Sequence, residues 1–257
     1  MGGELKRYLA ALVDDSGAED AGIIYFLEER DGDYVGTVNG KPFVCSPRIA
    51  LSAVEFIWRI SHDAIDALGE QLAFHAGAVS IDGVGLILPA PSGSGKSTLT
   101  AALVQAGAGY LSDEVAPIEG SSILPFARPL SLKSPSLALL GGLAQKLAAS
   151  PFTDLSLGQA FVDPEDLRSG SASPPSPLSL VVFPNYEPGS PTTLVPVGRA
   201  AGVIELVNNC ITFERLGGKG LEATAVAARN ARFYRLRSGN LFDAVEAIFA
   251  LARRTSY

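Results

Sequence analysis

The spacing of apolar and polar residues predicts a chain in which short strands and helices alternate. Near the N-terminus the apolar positions predict three strands, at residues 23–27, 34–38 and 41–45. The last two are joined by Asn39-Gly40, a pair that readily adopts the positive φ angles of a tight hairpin turn. The chain therefore begins with a small β-structure.

A helix is predicted after these strands. Between residues 51 and 68 apolar side chains recur at helical spacing, which predicts an apolar face made of Val54, Ile57, Trp58, Ile65 and Leu68. We expect a small α+β region at residues 1–70, followed by a larger α/β domain at residues 71–257.

A second hairpin leads into the most informative part of the chain. Residues 74–81 and 84–89 are typical of strands, and Asp82-Gly83 is typical of the turn between them. The register set by this turn pairs Ile81 with Val84, Val79 with Leu86, Gly77 with Leu88 and His75 with Ala90. Ordinary mononucleotide-binding folds surround the corresponding strand with parallel neighbours, so this hairpin predicts a mixed sheet. It also predicts that His75 lies beside the start of the next motif.

The run Ala90-Pro91-Ser92-Gly93-Ser94-Gly95-Lys96-Ser97 has the spacing of a phosphate-binding loop (P-loop) between a strand and a helix. Ala90 replaces the usual first glycine, so the match is to a relaxed form of the pattern. We expect Lys96 to reach the β- and γ-phosphates of a nucleoside triphosphate and the Ser97 hydroxyl to bind Mg²⁺. The predicted nucleotide-binding residues are Pro91, Ser92, Gly93, Ser94, Gly95, Lys96, Ser97 and Thr98.

Two adjacent carboxylates, Asp113 and Glu114, follow the predicted helix. A helix of about eleven residues rises ~16 Å, and a strand of about five residues returns the chain to the level of the phosphates. Successive strand side chains point to opposite faces, so only one of the two faces the γ-phosphate unless the strand ends between them. The roles open to them are base for an attacking hydroxyl and partner of Mg²⁺ or its waters.

The later part of the chain carries fewer chemical signals. The segment 163–177 is rich in Ser, Gly and Pro and has no apolar face, so we expect a mobile loop there. The predicted strand 178–183 has no terminal Asp, which leaves the earlier carboxylates as the acidic groups of the site. From Asn240 onward the pattern predicts a helix with an apolar face that packs into the core.

Composition narrows the class of protein. The chain has 257 residues, is 47% hydrophobic and carries a formal net charge of −7, which favours a globular protein and argues against nucleic acid as a partner. Cys45 and Cys210 are the two cysteines, and no Cys/His cluster indicates a zinc site or a disulfide framework. No stretch has the ~18 apolar residues of a membrane span. We expect a soluble, unprocessed cytoplasmic protein with no membrane partner.

Three motifs in order resemble the catalytic domain of HPr kinase/phosphorylase. They are His75-Ala76-Gly77-Ala78-Val79, Pro91-Ser92-Gly93-Ser94-Gly95-Lys96-Ser97 and Leu111-Ser112-Asp113-Glu114. The chain resembles even more the shorter HPr-kinase-related proteins, a group that includes lasso-peptide kinases. The resemblance covers roughly residues 74–257. It implies an α/β fold with a P-loop mixed sheet of the HPr kinase C-terminal domain type, preceded by a small α+β lead-in.

The resemblance also implies roles for residues of this chain. Asp113 corresponds to the catalytic acid/base, and His75 to the histidine that orients or tunes it. Lys96 takes the phosphate-binding role in catalysis. Glu114 stands where the family has a second aspartate and, with Ser97, is the candidate ligand of Mg²⁺. Related enzymes often assemble into homo-oligomers.

One family signature is missing from this chain. We find no downstream run with a Mg²⁺-binding glutamate and glycines. Arg128 and Lys133 lie where it is expected, and they are candidates for binding phosphate or substrate. HPr as substrate and the reverse phosphorylase reaction are therefore not implied for this chain.

These observations predict an ATP- and Mg²⁺-dependent kinase that transfers the γ-phosphoryl group to a hydroxyl. The resemblance alone implies a serine of a peptide or small protein as the acceptor. Two alternatives stay open at this point. The first is a nucleotide-binding regulatory protein without phosphotransfer, and the second is a kinase of a small metabolite. The pattern does not distinguish ATP from GTP.

Overall fold

The computed structural model describes residues 22–126, 128–148 and 153–255. This part of the chain divides into two compact units. The larger unit contains residues 69–131 and 162–255, and the smaller contains residues 22–68 and 132–161. The division predicted between residues 70 and 71 stays a prediction.

The strands of the described residues are, in chain order, β1 (Tyr25–Arg30), β2 (Asp33–Val38), β3 (Lys41–Ser46), β4 (Ala73–Phe74), β5 (Ala76–Ile81), β6 (Val84–Pro89), β7 (Gly109–Ser112), β8 (Ala116–Glu119), β9 (Ser122–Ile123), β10 (Leu130–Lys133), β11 (Gln159–Val162), β12 (Ser176–Tyr186), β13 (Thr193–Val197) and β14 (Arg232–Ser238). The α-helices are α1 (Ile49–Ala67), α2 (Lys96–Gln105), α3 (Ser134–Leu137), α4 (Leu143–Ala148), α5 (Pro164–Leu167), α6 (Arg199–Val207), α7 (Phe213–Leu216), α8 (Gly220–Ala227) and α9 (Leu241–Arg253). Short 3₁₀ helices span Leu155–Leu157 and Gly217–Lys219.

The smaller unit begins with the predicted three-stranded sheet, ordered β1-β2-β3 and antiparallel throughout. The predicted hairpin turn is confirmed, because Asn39 and Gly40 have φ angles of 49° and 76°. Helix α1 packs on this sheet through Phe56, whose ring contacts those of Tyr25 and Phe43.

The prediction that Trp58 belongs to the apolar face of α1 is wrong. Trp58 is 58% exposed, whereas Ala53, Phe56 and Ile57 are buried. Each helical residue is rotated about 100° from the one before it, so a face centred on Ala53, Phe56 and Ile57 turns Trp58 toward solvent.

The larger unit is built on a mixed sheet, as predicted from the hairpin. Strand β6 pairs antiparallel with β5 and parallel with β12, and β12 in turn pairs parallel with β14. The predicted register between β5 and β6 is confirmed from Ile81–Val84 to Gly77–Leu88. The ladder ends at Ala76–Pro89, so the predicted pairing of His75 with Ala90 does not continue it. The mixed α/β class and the small N-terminal sheet are therefore confirmed.

Helix α2 packs closely against strand β5 of this sheet. All residues of β5 and β6 are buried, which fits strands covered on both faces. A Cβ atom added to Gly77 would lie 2.1 Å from Thr100 Oγ1 of α2. The absence of a side chain at Gly77 thus allows the helix that begins at Lys96 to approach β5.

The segment 163–177 is largely irregular, and its predicted mobility stays a prediction. It contains α5, whose N-terminus is capped by the Asp163 carboxylate accepting from the Glu165 N–H. The Glu165 carboxylate in turn accepts from the N–H groups of Gly170 and Ser171. Tyr110 of β7 also exchanges backbone hydrogen bonds with this segment. Local capping and hydrogen bonds to an adjacent strand hold part of this segment, and composition does not reveal either.

The helix predicted after Asn240 is confirmed as α9. The Asn240 side-chain oxygen accepts hydrogen bonds from the N–H groups of Phe242 and Asp243, at 2.8 and 3.3 Å. Its buried face includes Val245, Ile248 and Ala252. In the described part of the chain, no helix combines the length and the apolar character needed to cross a membrane.

Candidate phosphate-binding and catalytic site

The segment 90–97, called the glycine loop below, joins the buried strand β6 to α2. Gly93 and Gly95 have φ angles of 91° and 87°, in the region that favours glycine. The Ser94 hydroxyl closes the turn by donating to the carbonyl of Pro91 at 2.9 Å. Helix α2 has no side-chain hydrogen bond at its N-cap, Gly95. Its first N–H groups are consequently able to bind an anion.

Lys96 is the first residue of α2, and its side chain is only 4% exposed. Its Nζ atom lies 2.9 Å from His75 Nε2 and 3.6 Å from Glu114 Oε1. The ammonium group therefore lies inside the protein with a neutral and an anionic partner. This arrangement keeps a buried positive charge at the start of the helix, where a phosphate would bind.

His75 lies between β4 and β5, where its N–H donates to the carbonyl of Asn209 at 2.7 Å. His75 lies close to the glycine loop, as predicted, because its ring contacts Lys96 and not because it pairs with Ala90. One ring nitrogen contacts Lys96, and Nδ1 lies 3.2 Å from both the backbone oxygen and Oε2 of Glu114. Burial, followed by the charge of Lys96, lowers the pKa of His75, although Glu114 opposes this shift.

Asp113 is the first residue after β7 and is completely buried. Neither of its carboxylate oxygens has a hydrogen-bond partner at normal distance among the described residues. Burial, followed by the charge of Glu114, raises the pKa of Asp113 to about 6. Lys96, the Ser97 hydroxyl and the guanidinium of Arg128 oppose this rise. A buried carboxylate without partners is costly, which marks Asp113 as a group held for chemistry.

Strand β7 ends at Ser112, before both carboxylates, and the side chain of Glu114 is partly exposed whereas that of Asp113 is buried. Its φ angle is +73°, a left-handed conformation that is uncommon for a residue other than glycine. The unusual backbone turns its partly exposed side chain toward His75 and Lys96. The structure therefore gives His75 contacts with Glu114 and Lys96, and the contact with Asp113 that the resemblance implies is not observed among the described residues.

The two predicted phosphate- or substrate-binding cations differ in environment. Arg128 is buried, and its charge lowers the pKa of Asp113. Its Nε atom has no hydrogen-bond partner among the described residues. Lys133, by contrast, is exposed and belongs to the smaller unit. Arg128 therefore lies close enough to Asp113 for its charge to act on that carboxylate.

Two hydroxyl groups that the sequence did not single out support the segment around Asp113. The Tyr110 hydroxyl donates to the carbonyl of Arg128 at 2.6 Å. The Ser112 hydroxyl bonds the carbonyls of Val115 and Phe126, the latter at 3.0 Å. Both are buried residues of β7, and residue type alone carries no signal for their hydrogen bonds.

No protein-family model matches this chain, and no curated protein matches it. One solved structure to which it is similar is the HPr(Ser) kinase/phosphatase from Coxiella burnetii. The two share 15% sequence identity over 71% of this chain and 94% of the other, with a TM-score of 0.32. At this level, the similarity does not bear on individual residues.

Proposed function

We propose that this protein is a kinase that transfers the γ-phosphoryl group of ATP to a hydroxyl, with Mg²⁺ as its metal. The observation that carries the proposal is Asp113, a fully buried carboxylate whose raised pKa is opposed by Lys96 and by the Ser97 hydroxyl at the N-terminus of α2. A base, a cation and free helix N–H groups in one place are what phosphoryl transfer needs.

The glycine loop and Lys96 supply the phosphate-binding groups. The N–H groups at the start of α2 have no side-chain cap, and the loop glycines leave space above the backbone, because an added Cβ at Gly93 meets nothing within 4 Å. Lys96 Nζ presents its charge at the same helix end. We assign Ser92 to Thr98, with Pro91 at the turn, to the phosphates.

The residues at this end of α2 also fit a magnesium ion. Ser97 offers a hydroxyl and Glu114 a carboxylate, both hard oxygen ligands of the kind Mg²⁺ prefers. The two unpartnered Asp113 oxygens are the structural sign that a positively charged group belongs nearby. When bound, Mg²⁺ neutralises charge on the phosphates.

Asp113 is assigned to the acceptor hydroxyl. Its carboxylate accepts the hydroxyl proton as the oxygen forms a bond to the γ-phosphorus and the bond from that phosphorus to ADP breaks. A pKa of about 6 suits this role, because the group is largely ionised at neutral pH and still basic enough to accept a proton. Lys96 and Arg128 lower the cost of the negative charge at this position.

The acceptor, the assembly and the compartment follow only from the resemblance. We infer a serine in a peptide or small protein as acceptor, a cytoplasmic protein and a homo-oligomer. Arg128 and Lys133 are assigned to phosphate or substrate binding.

A second candidate function is nucleotide-dependent regulation without phosphotransfer. The contact of Lys96 with His75 and Glu114 favours it, because a nucleotide must compete for that ammonium group and could thereby change the position of Glu114. The buried carboxylate of Asp113 is not needed for such a switch and favours the kinase.

Incubation with γ-labelled ATP and Mg²⁺ tests the proposal, with and without peptides and small proteins encoded beside the gene. Wild type is compared with Asp113→Asn and with Asp82→Asn, the same change in the exposed turn between β5 and β6. The kinase predicts label on an acceptor hydroxyl with wild type and Asp82→Asn, and loss of at least a hundredfold with Asp113→Asn. Nucleotide binding without transfer, unaffected by Asp113→Asn, would establish the regulatory function instead.

A further inference from the structure

The last residue of β12, Tyr186, lies directly against the glycine loop. Its backbone N–H donates to the carbonyl of Ser94 at 3.3 Å. A Cβ atom on Gly95 would lie 3.3 Å from Tyr186 Cβ, so the side chain of Tyr186 begins beside the N-cap of α2. Tyr186 thus belongs to the wall of the proposed phosphate site, although no sequence motif includes it.

The side chain of Tyr186 is exposed at the end of a strand whose central residues are buried. Residues 180–184 of β12 are buried, whereas Tyr186 is 52% exposed. A half-exposed aromatic ring next to a phosphate-binding loop offers an apolar face to whatever is attached to the phosphates. In a nucleotide, that group is an aromatic base.

The backbone that carries Tyr186 is held on its other side. Tyr186 pairs with Ser238 of the parallel strand β14, and the next N–H, that of Glu187, donates to the Ser238 carbonyl at 3.0 Å. Gly239 packs so closely here that an added Cβ would lie 2.7 Å from the Glu187 carbonyl oxygen. The ring therefore extends from a fixed point, as a preorganised binding surface requires.

We propose that the ring of Tyr186 is the stacking surface for the base of the nucleoside triphosphate. The inference rests on the proposed function, because it assumes that the glycine loop binds the phosphates. Stacking on an aromatic ring is available to every base. Tyr186 therefore contributes affinity for nucleotides over bare polyphosphate, and it does not by itself select ATP over GTP.

Calorimetric titration with Mg²⁺-ATP and with inorganic tripolyphosphate separates stacking from phosphate binding. For Tyr186→Leu we expect ATP to bind about tenfold more weakly and tripolyphosphate to bind as to wild type. Tyr186→Phe keeps the ring and should bind both ligands as wild type does. Phe26→Leu, at a similarly exposed aromatic residue of β1 in the smaller unit, should change neither affinity.

The outcomes distinguish this inference from the proposed function. Unchanged ATP affinity in Tyr186→Leu, or equal weakening of both ligands, would overturn the role of the ring and leave the kinase in place. A selective loss of ATP affinity in a protein that transfers no label would support the ring and overturn the kinase. Wild type that binds neither ligand would overturn both.

A fluorescence measurement gives an independent readout. The chain has one tryptophan, Trp58, which lies in the smaller unit. In a Trp58→Phe background, the indole of Tyr186→Trp becomes the sole tryptophan emitter. ATP should quench it, and tripolyphosphate should not. Equal quenching by the two ligands would contradict stacking.

Discussion

His75 Nε2 and Lys96 Nζ lie 2.9 Å apart, which places the histidine of the strand hairpin in direct contact with the lysine of the glycine loop. The lowered pKa of His75 favours the neutral ring, so Nε2 accepts the hydrogen bond and the ammonium group donates it. Glu114 contacts both side chains. These three residues thus form a connected polar group beside the buried carboxylate of Asp113.

The charge of Glu114 should set the pH dependence of phosphoryl transfer. Glu114 is the second-largest cause of the raised pKa of Asp113, after burial. Glu114→Gln removes that charge, so the pKa of Asp113 should fall below about 6 and the acidic limb of kcat/KM should move to lower pH. Glu119→Gln, an exposed change at the end of β8, is the control. An unchanged acidic limb would show that another group sets it.

Asp113→Asn should stabilise the protein while it removes the activity. The pKa of Asp113 rises from 3.8 to about 6 on folding, so the folded state binds the proton more tightly. The contribution of Asp113 to the free energy of unfolding is therefore greatest below pH 4, and it is lost as the pH rises through 6. At pH 8 the neutral amide should raise the free energy of unfolding by about 1–3 kcal/mol.

Denaturant unfolding at pH 5 and pH 8 measures this effect. The advantage of Asp113→Asn over wild type should be larger at pH 8 than at pH 5, whereas Asp82→Asn should show no such difference. An Asp113→Asn variant that is less stable than wild type at pH 8 would mean that the carboxylate has a partner in solution.

Lys96→Ala and Asp113→Asn should separate binding from chemistry. Loss of the ammonium group should weaken the binding of Mg²⁺-ATP, because Lys96 supplies positive charge at the phosphate site. Asp113→Asn should leave binding nearly unchanged and lower turnover, because the base acts on the acceptor. Titration calorimetry and label transfer measure the two quantities. Equal loss of binding in both variants would exclude the role assigned to Asp113.

The close approach of α2 to β5 should depend on Gly77. In Gly77→Ala the new methyl group would lie 2.1 Å from Thr100 Oγ1, so either the Thr100 side chain must rotate or the helix that carries Lys96 must shift. We expect destabilisation by about 1–3 kcal/mol and weaker nucleotide binding. The double variant Gly77→Ala, Thr100→Ala removes the clashing oxygen and should recover part of both losses. Thermal unfolding and nucleotide titration of wild type, Gly77→Ala, Thr100→Ala and the double variant measure this coupling. Purely additive losses of stability and of nucleotide affinity would contradict it.

Much of this site could be predicted from the sequence, because the residues that indicate it lie close together along the chain. The turn Asp82-Gly83 determines the register of β5 and β6, and the glycine loop identifies the start of α2. The length of α2 and β7 places Asp113 near the loop by simple geometry. The neighbours of His75 could not be predicted in this way, because the left-handed backbone of Glu114, which turns that carboxylate toward the ring, has no signature in residue type.

The sequence by itself determined the mixed sheet, the phosphate-binding pattern and the position of the acidic pair, because turn residues, glycines and strand lengths act over a few neighbouring positions. Only the tertiary structure decided that Arg128 is buried, that the segment 163–177 is held to β7, and that Tyr186 lies against the glycine loop. These features join residues far apart in the chain. Burial and electrostatic environment arise from such contacts, and residue type alone does not specify them.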